Sequence, residues 1–200
     1  MVSFFEYTQQ AVMTESVTST LHQEVLDRGL NDRVLHSIIG VDTELDEIVF
    51  NPDYDKVNLL EEFGDTMWYV AIFADAINFT GVVNSIINSD PSIFFNSARE
   101  ATTAHVASVS LLVDHSKRVM FYGSKFDEDL CKSAFENIVM SIYYQTSIVY
   151  DTDIFTVLEA NINKLKTRYP DKFDKSKAEH RNTDNERVQL EKDLSGNNGG

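Results

Sequence analysis

Apolar residues return every three or four positions along most of this chain, and nowhere do they alternate long enough to make a strand. Three Pro and eight Gly in 200 residues are too few for many short strands joined by tight turns. The pattern predicts an all-α bundle. A first helix is expected over Phe4 to Leu26, stopped by Asp27-Arg28-Gly29, and a second from about Asp32 to Phe50 with Leu35, Ile38, Ile39, Leu45 and Ile48 on its apolar side. Asn51-Pro52-Asp53 ends that helix, because proline disfavours a helical residue before it. A third helix runs from Asp55 to about Phe79, and Thr80 to Ser97 reads as a short helix with connections, interrupted at Asp90-Pro91. Two long helices follow, Ala98 to Tyr122 and Asp127 to Tyr150, parted by Gly123-Ser124-Lys125. A closing helix, 154–168, stops at Tyr169-Pro170. The tail, 174–200, is polar; Asp184 to Leu194 reads as a docking helix, and Ser195 to Gly200 is expected to be disordered.

Charge narrows the function. Seventeen basic against 32 acidic residues leave −15 at pH 7, the wrong sign for a protein that grips a phosphate backbone, so no nucleic-acid partner is expected. The same field repels free nucleotides unless divalent cations or a basic pocket intervene. The lone Cys131 excludes an intrachain disulfide and a cysteine-based zinc site, and reads as a buried small residue. The longest apolar run, Met67 to Ala74, is too short to span a bilayer, and no export signal opens the sequence. A cytoplasmic protein without a membrane partner is expected.

One pattern carries chemistry. Glu44 and Glu47 lie three apart on the second helix, Glu62 and Asp65 repeat that spacing on the third, and 14 residues separate the pairs. A short connection makes the two helices antiparallel neighbours, so the pairs face one another. Solvated surface charge is the ordinary explanation for such pairs. Here, however, they sit between Ile38-Ile39 and Ile48-Val49-Phe50, and within Leu59-Leu60 to Trp68-Tyr69. Carboxylates crowded against apolar surface need a positive partner, and no Lys or Arg lies within either of these two segments. An all-oxygen set suits Mg²⁺, with Mn²⁺ as a substitute. Gly64, inside the second pair, weakens its helix and so predicts close approach of another group. A di-iron carboxylate bundle would need Glu-x-x-His pairs, and the chain has none.

Glu44-x-x-Glu47, then Glu62-x-x-Asp65 with Trp68-Tyr69, resembles the metal motif of the MazG-like, all-α NTP pyrophosphatases. Glu6-Tyr7 with Ala11 and Thr14 resembles the first helix of that family, Leu35 to Gly40 the lead-in to its first acidic pair, and Asn161 to Phe173 its closing segment. The resemblance covers residues 6–80 and 154–173. It implies a domain over 1–173 that hydrolyses an NTP or dNTP to monophosphate and pyrophosphate, using Mg²⁺ held by Glu44, Glu47, Glu62 and Asp65. By the same resemblance Asn161 and Lys164 contact phosphate, and Arg168 with Tyr169 helps close the pocket. Glu47 is the candidate general base. His36 and Trp68 are candidate contacts to base or sugar, each with the alternative of a core or surface role.

The middle of the chain suggests a second copy. Glu136 to Tyr144 aligns without gaps to Glu61 to Tyr69, which sets Asn137 and Met140 against Glu62 and Asp65. Counting back sets Ser108 and Leu111 against Glu44 and Glu47. A pseudo-dimer follows, with its metal-bearing copy at about 30–80 and a degenerate copy at about 98–150, similar to the duplicated dimeric dUTPases. Lys117 and Arg118 would then come from the second copy to a composite pocket, unless they are surface charge. A homodimer is expected. Two alternatives stay open: a dUTPase- or dCTPase-like diphosphohydrolase, and a non-enzymatic acidic protein that occupies a basic partner surface.

Overall fold

The computed structural model describes residues 2–16, 19–50, 55–169 and 183–195. All regular structure among them is helical: α1 (Phe4–Met13), α2 (Gln23–Leu26), α3 (Asp32–Val49), α4 (Lys56–Ala76), α5 (Thr80–Ile87), α6 (Ala98–Tyr122), α7 (Glu128–Tyr144), α8 (Ile154–Arg168) and α9 (Thr183–Ser195). A 3₁₀ turn, Pro91–Ile93, precedes α6, and a π turn, Gln145–Val149, extends α7. No helix among the described residues is long and apolar enough to cross a membrane.

Local chemistry explains where the helices begin. Ser3 and Glu6 cap α1 reciprocally, and the side chains of Asn31, Asp55, Ser97, Asp127 and Asp153 accept from first-turn amides of α3, α4, α6, α7 and α8. Gly123 ends α6 in the left-handed region at φ 75°, and the Arg28 guanidinium takes up the free carbonyls of Val119 and Met120.

Two helical pairs make the body. α3 packs along α4 and α6 along α7, while α8 lies against α4 and carries α9, which also touches α4. Between the pairs, Phe73 of α4 stacks on Phe135 of α7 with ring centres 3.8 Å apart. Both rings are fully enclosed by the continuous apolar core that runs from Phe4 to Ile162.

Three expectations change. The first helix is split: α1 ends at Met13, and Thr14 returns its hydroxyl and its amide to the Ala11 carbonyl. The run Thr14-Glu15-Ser16 supplies side chains that compete for backbone hydrogen bonds, which breaks a helix whose apolar spacing alone would continue. Ile39, expected in the core, is 54% exposed, and Val34 and Val41 are buried in its stead. The last turns before Tyr150 widen to a π turn, where Gln145 reaches back to Ser141 and Thr146 to the Tyr143 carbonyl. The expected docking helix forms as α9, with Leu190 sealed and Arg187 bound to Asp55 and Asn58 of the α4 N-terminus. The proline stops at 52 and 170, and the disorder expected over 196–200, fall outside the described residues.

Candidate metal centre

α3 and α4 approach closely enough to bring their acids together because Gly40 leaves room for the Tyr69 ring. A Cβ on Gly40 would lie 2.2 Å from that ring. Across this seam Glu44, Glu47 and Glu62 each offer a carboxylate oxygen, all within 4.8 Å of one another. Glu47 is exposed, and Glu44 and Glu62 are half-buried.

Asp65 is turned differently. Its Oδ1 accepts from Asn161 Nδ2 at 2.6 Å, and both its oxygens accept from Lys164 Nζ, at 2.6 and 2.5 Å. Lys164 also donates to Glu61 at 3.1 Å. The Tyr7 hydroxyl bridges the Asn161 amide oxygen and the Gly64 carbonyl. The predicted close approach at Gly64 is therefore Asn161: a Cβ on Gly64 would meet the Asn161 Cβ at 3.1 Å.

This network corrects the sequence argument in two places. A cation does compensate the acids, but it is brought by α8 from 99 residues beyond Asp65. Asn161 and Lys164, assigned by resemblance to phosphate, are 2% and 1% exposed and lie behind the carboxylates. Neither lines the open cleft; both hold Asp65.

Electrostatics separate the members of the cluster. Burial, followed by the charges of Asp65 and Glu47, pushes Glu44 up to about 8 and Glu62 up to about 9. Lys164 moves the other way from what burial dictates. Desolvation opposes its charge, yet Asp65 and Glu61 hold its proton above the usual lysine range. Near neutral pH two carboxyls of the trio are thus protonated for want of a further positive charge. A hard divalent cation fits this donor set, which is all oxygen and gives up protons on binding.

The carboxylates form one wall of a cleft of about 290 Å³. His36, Trp68 and Tyr69 line the same cleft, in mutual edge-on contact with ring centres 4.9–6.0 Å apart. Trp68 is fixed by a 2.9 Å hydrogen bond from its indole to Thr14 Oγ1. Burial lowers the His36 pKa, so the ring favours its neutral form. Arg168 and Tyr169 complete the cleft at the end of α8. Lys117 and Arg118 do not reach it. Both are exposed and paired with Asp114, so the composite pocket expected from the second pair does not form. Cys131 is buried, as expected, and burial raises its thiol to about 12.

Some members of the site left little trace in sequence. Glu61 reads as one more acid, Tyr7 as one more apolar position on α1, and Glu186, which pairs with Arg168, as part of a polar tail. No family model matches the chain, and neither the curated proteins nor the solved structures contain a significant match.

Proposed function

We propose that this protein is a Mg²⁺-dependent nucleoside triphosphate pyrophosphohydrolase of the MazG-like, all-α kind. The observation that carries the reading is the convergence of Glu44, Glu47 and Glu62 within 4.8 Å, in a cleft that His36, Trp68 and Tyr69 also line. Mg²⁺ held there would neutralise a triphosphate and acidify an attacking water. The chain's own residues then have separate tasks. Lys164 and Asn161 hold Asp65 in place, with Tyr7 steadying Asn161. Glu47, the exposed member of the trio, accepts the proton of the water that attacks the α-phosphorus. The bond from that phosphorus to the bridging oxygen breaks, and pyrophosphate leaves. Arg168 meets the phosphates, and the face of Trp68, backed by His36 and Tyr69, receives the base.

On this reading α6 and α7 are a second copy that kept its helical shape and lost its acids, and two chains pair as a dimer. Pyrophosphate release from a panel of canonical and modified nucleoside triphosphates tests the activity and finds the base. The expected result is Mg²⁺-dependent turnover of at least one nucleotide that falls roughly a hundredfold or more in Glu62→Gln. Turnover that survives the substitution would remove the carboxylates from the mechanism.

A further inference from the structure

Among the described residues that line the cleft, Arg168 is the one Lys or Arg. Its guanidinium is gripped from another helix. Nε donates to Glu186 Oε1 at 2.9 Å and Nη2 to Oε2 at 2.5 Å, a two-pronged pair between α8 and α9. The side chains are 14% and 5% exposed, and the guanidinium carbon sits 5.8 Å from the centre of the Tyr169 ring. Two bonds along one edge fix the plane of a guanidinium, and the direction of its other N–H groups follows from that plane.

The pair is not the sole fastening of α9. Leu190 is sealed in the packing, Arg187 reaches Asp55 at 2.5 Å and also Asn58, and Asn163 donates to Asp193 at 2.9 Å. A buried ion pair is in any case a poor fastener, since desolvating both charges offsets most of their attraction. What Glu186 does that those contacts do not is fix the plane of the cation that lines the cleft.

We propose that Glu186 is a positioning residue: it holds the Arg168 guanidinium at the cleft wall in the orientation that receives the phosphate oxygens of a nucleoside triphosphate. α9 thereby completes a site otherwise built from α3, α4, α8 and the segment after α1. This rests on the nucleotide reading above.

The experiment compares wild type, Glu186→Gln, Glu186→Asp and Arg187→Ala. Calorimetry measures Mg²⁺ alone and then a nonhydrolysable triphosphate in Mg²⁺, and kinetics separate KM from kcat. Glu186→Gln is expected to weaken triphosphate binding and raise KM roughly tenfold, with kcat within about twofold and Mg²⁺ binding unchanged. Glu186→Asp keeps the charge but withdraws the fork; it shifts KM the same way, and carries the test if the glutamine variant does not fold. Arg187→Ala loosens α9 without touching Arg168, so it lowers Tm and leaves KM in place. Wild type that binds neither Mg²⁺ nor triphosphate overturns the nucleotide reading and this inference with it. Wild type that binds both while the Glu186 variants bind equally or more tightly overturns the inference alone. An equal loss in Arg187→Ala also overturns it, because general docking of the helix would then suffice.

Discussion

The α3–α4 and α6–α7 pairs are both packed helical pairs, and they differ in chemistry. From Glu61 to Thr66 and from Glu136 to Ser141, the buried positions fall at the same places, with Phe63-Gly64 matched by Ile138-Val139. The proposed alignment of the two pairs sets Ser108 and Asn137 against Glu44 and Glu62. Where Gly64 admits Asn161, the second pair has Val139, fully buried. Helical packing thus does not need a charge site. A charge site needs more: glycine at the points of contact, and a third element, α8, to deliver Lys164 and Asn161.

Lys164→Met strikes this difference hardest. It leaves Asp65 and Glu61 without their buried partner, with an expected loss of about 3 kcal/mol and roughly 10 °C in Tm. Adding Asp65→Asn should return part of it, as a thermal denaturation cycle would measure. If the double variant is no better than Lys164→Met, the pair is not coupled as described.

Putting acids into the second pair sharpens the contrast. Ser108 is buried, so Ser108→Glu should cost about 2 kcal/mol, with no cation delivered to offset it. Leu111 is 45% exposed, and Leu111→Glu should change stability by less than about 0.5 kcal/mol. Denaturant titration distinguishes the two; equal effects would mean that the registers do not correspond.

Gly64→Ala probes the contact itself. Helix propensity favours alanine by about 1 kcal/mol, while the crowding of Asn161 opposes it, so stability should move little. Asn161 cannot then hold Asp65 in place, and Mg²⁺ affinity should fall about tenfold. Unchanged affinity would separate Asp65 from the metal centre.

The smallest expected effect is one of pH. Glu44 and Glu62 titrate near 8 and 9 in the folded chain, against an ordinary 4.5. Because both are raised, the stability they permit is complete below the unfolded value. It is lost as pH climbs through the folded values. Bound Mg²⁺ reverses the penalty, so its protective shift in Tm should be larger at about pH 8.5 than at about pH 6. A shift independent of pH would contradict that.

Most helices were legible because one physical signal, apolar spacing with caps, decides them. The break after Met13 was not, since it depends on hydroxyl side chains competing with the backbone inside an otherwise regular pattern. For the site, the facing of Glu44 and Glu47 with Glu62 followed from spacing along two neighbouring helices. Lys164 and Glu186 did not, because contacts across about a hundred residues, or from a polar tail, leave no local periodicity. Gly64 lay between: the residue pointed to a close approach, and only the fold supplied Asn161 as the group that approaches.

Calorimetric titration of Mn²⁺ into wild type, Glu44→Gln and Glu62→Gln at neutral pH asks most directly whether the trio is a metal centre. Saturable binding in wild type, accompanied by proton release and lost in both variants, is the result expected. Binding that is absent from wild type, or undiminished in both variants, would contradict it.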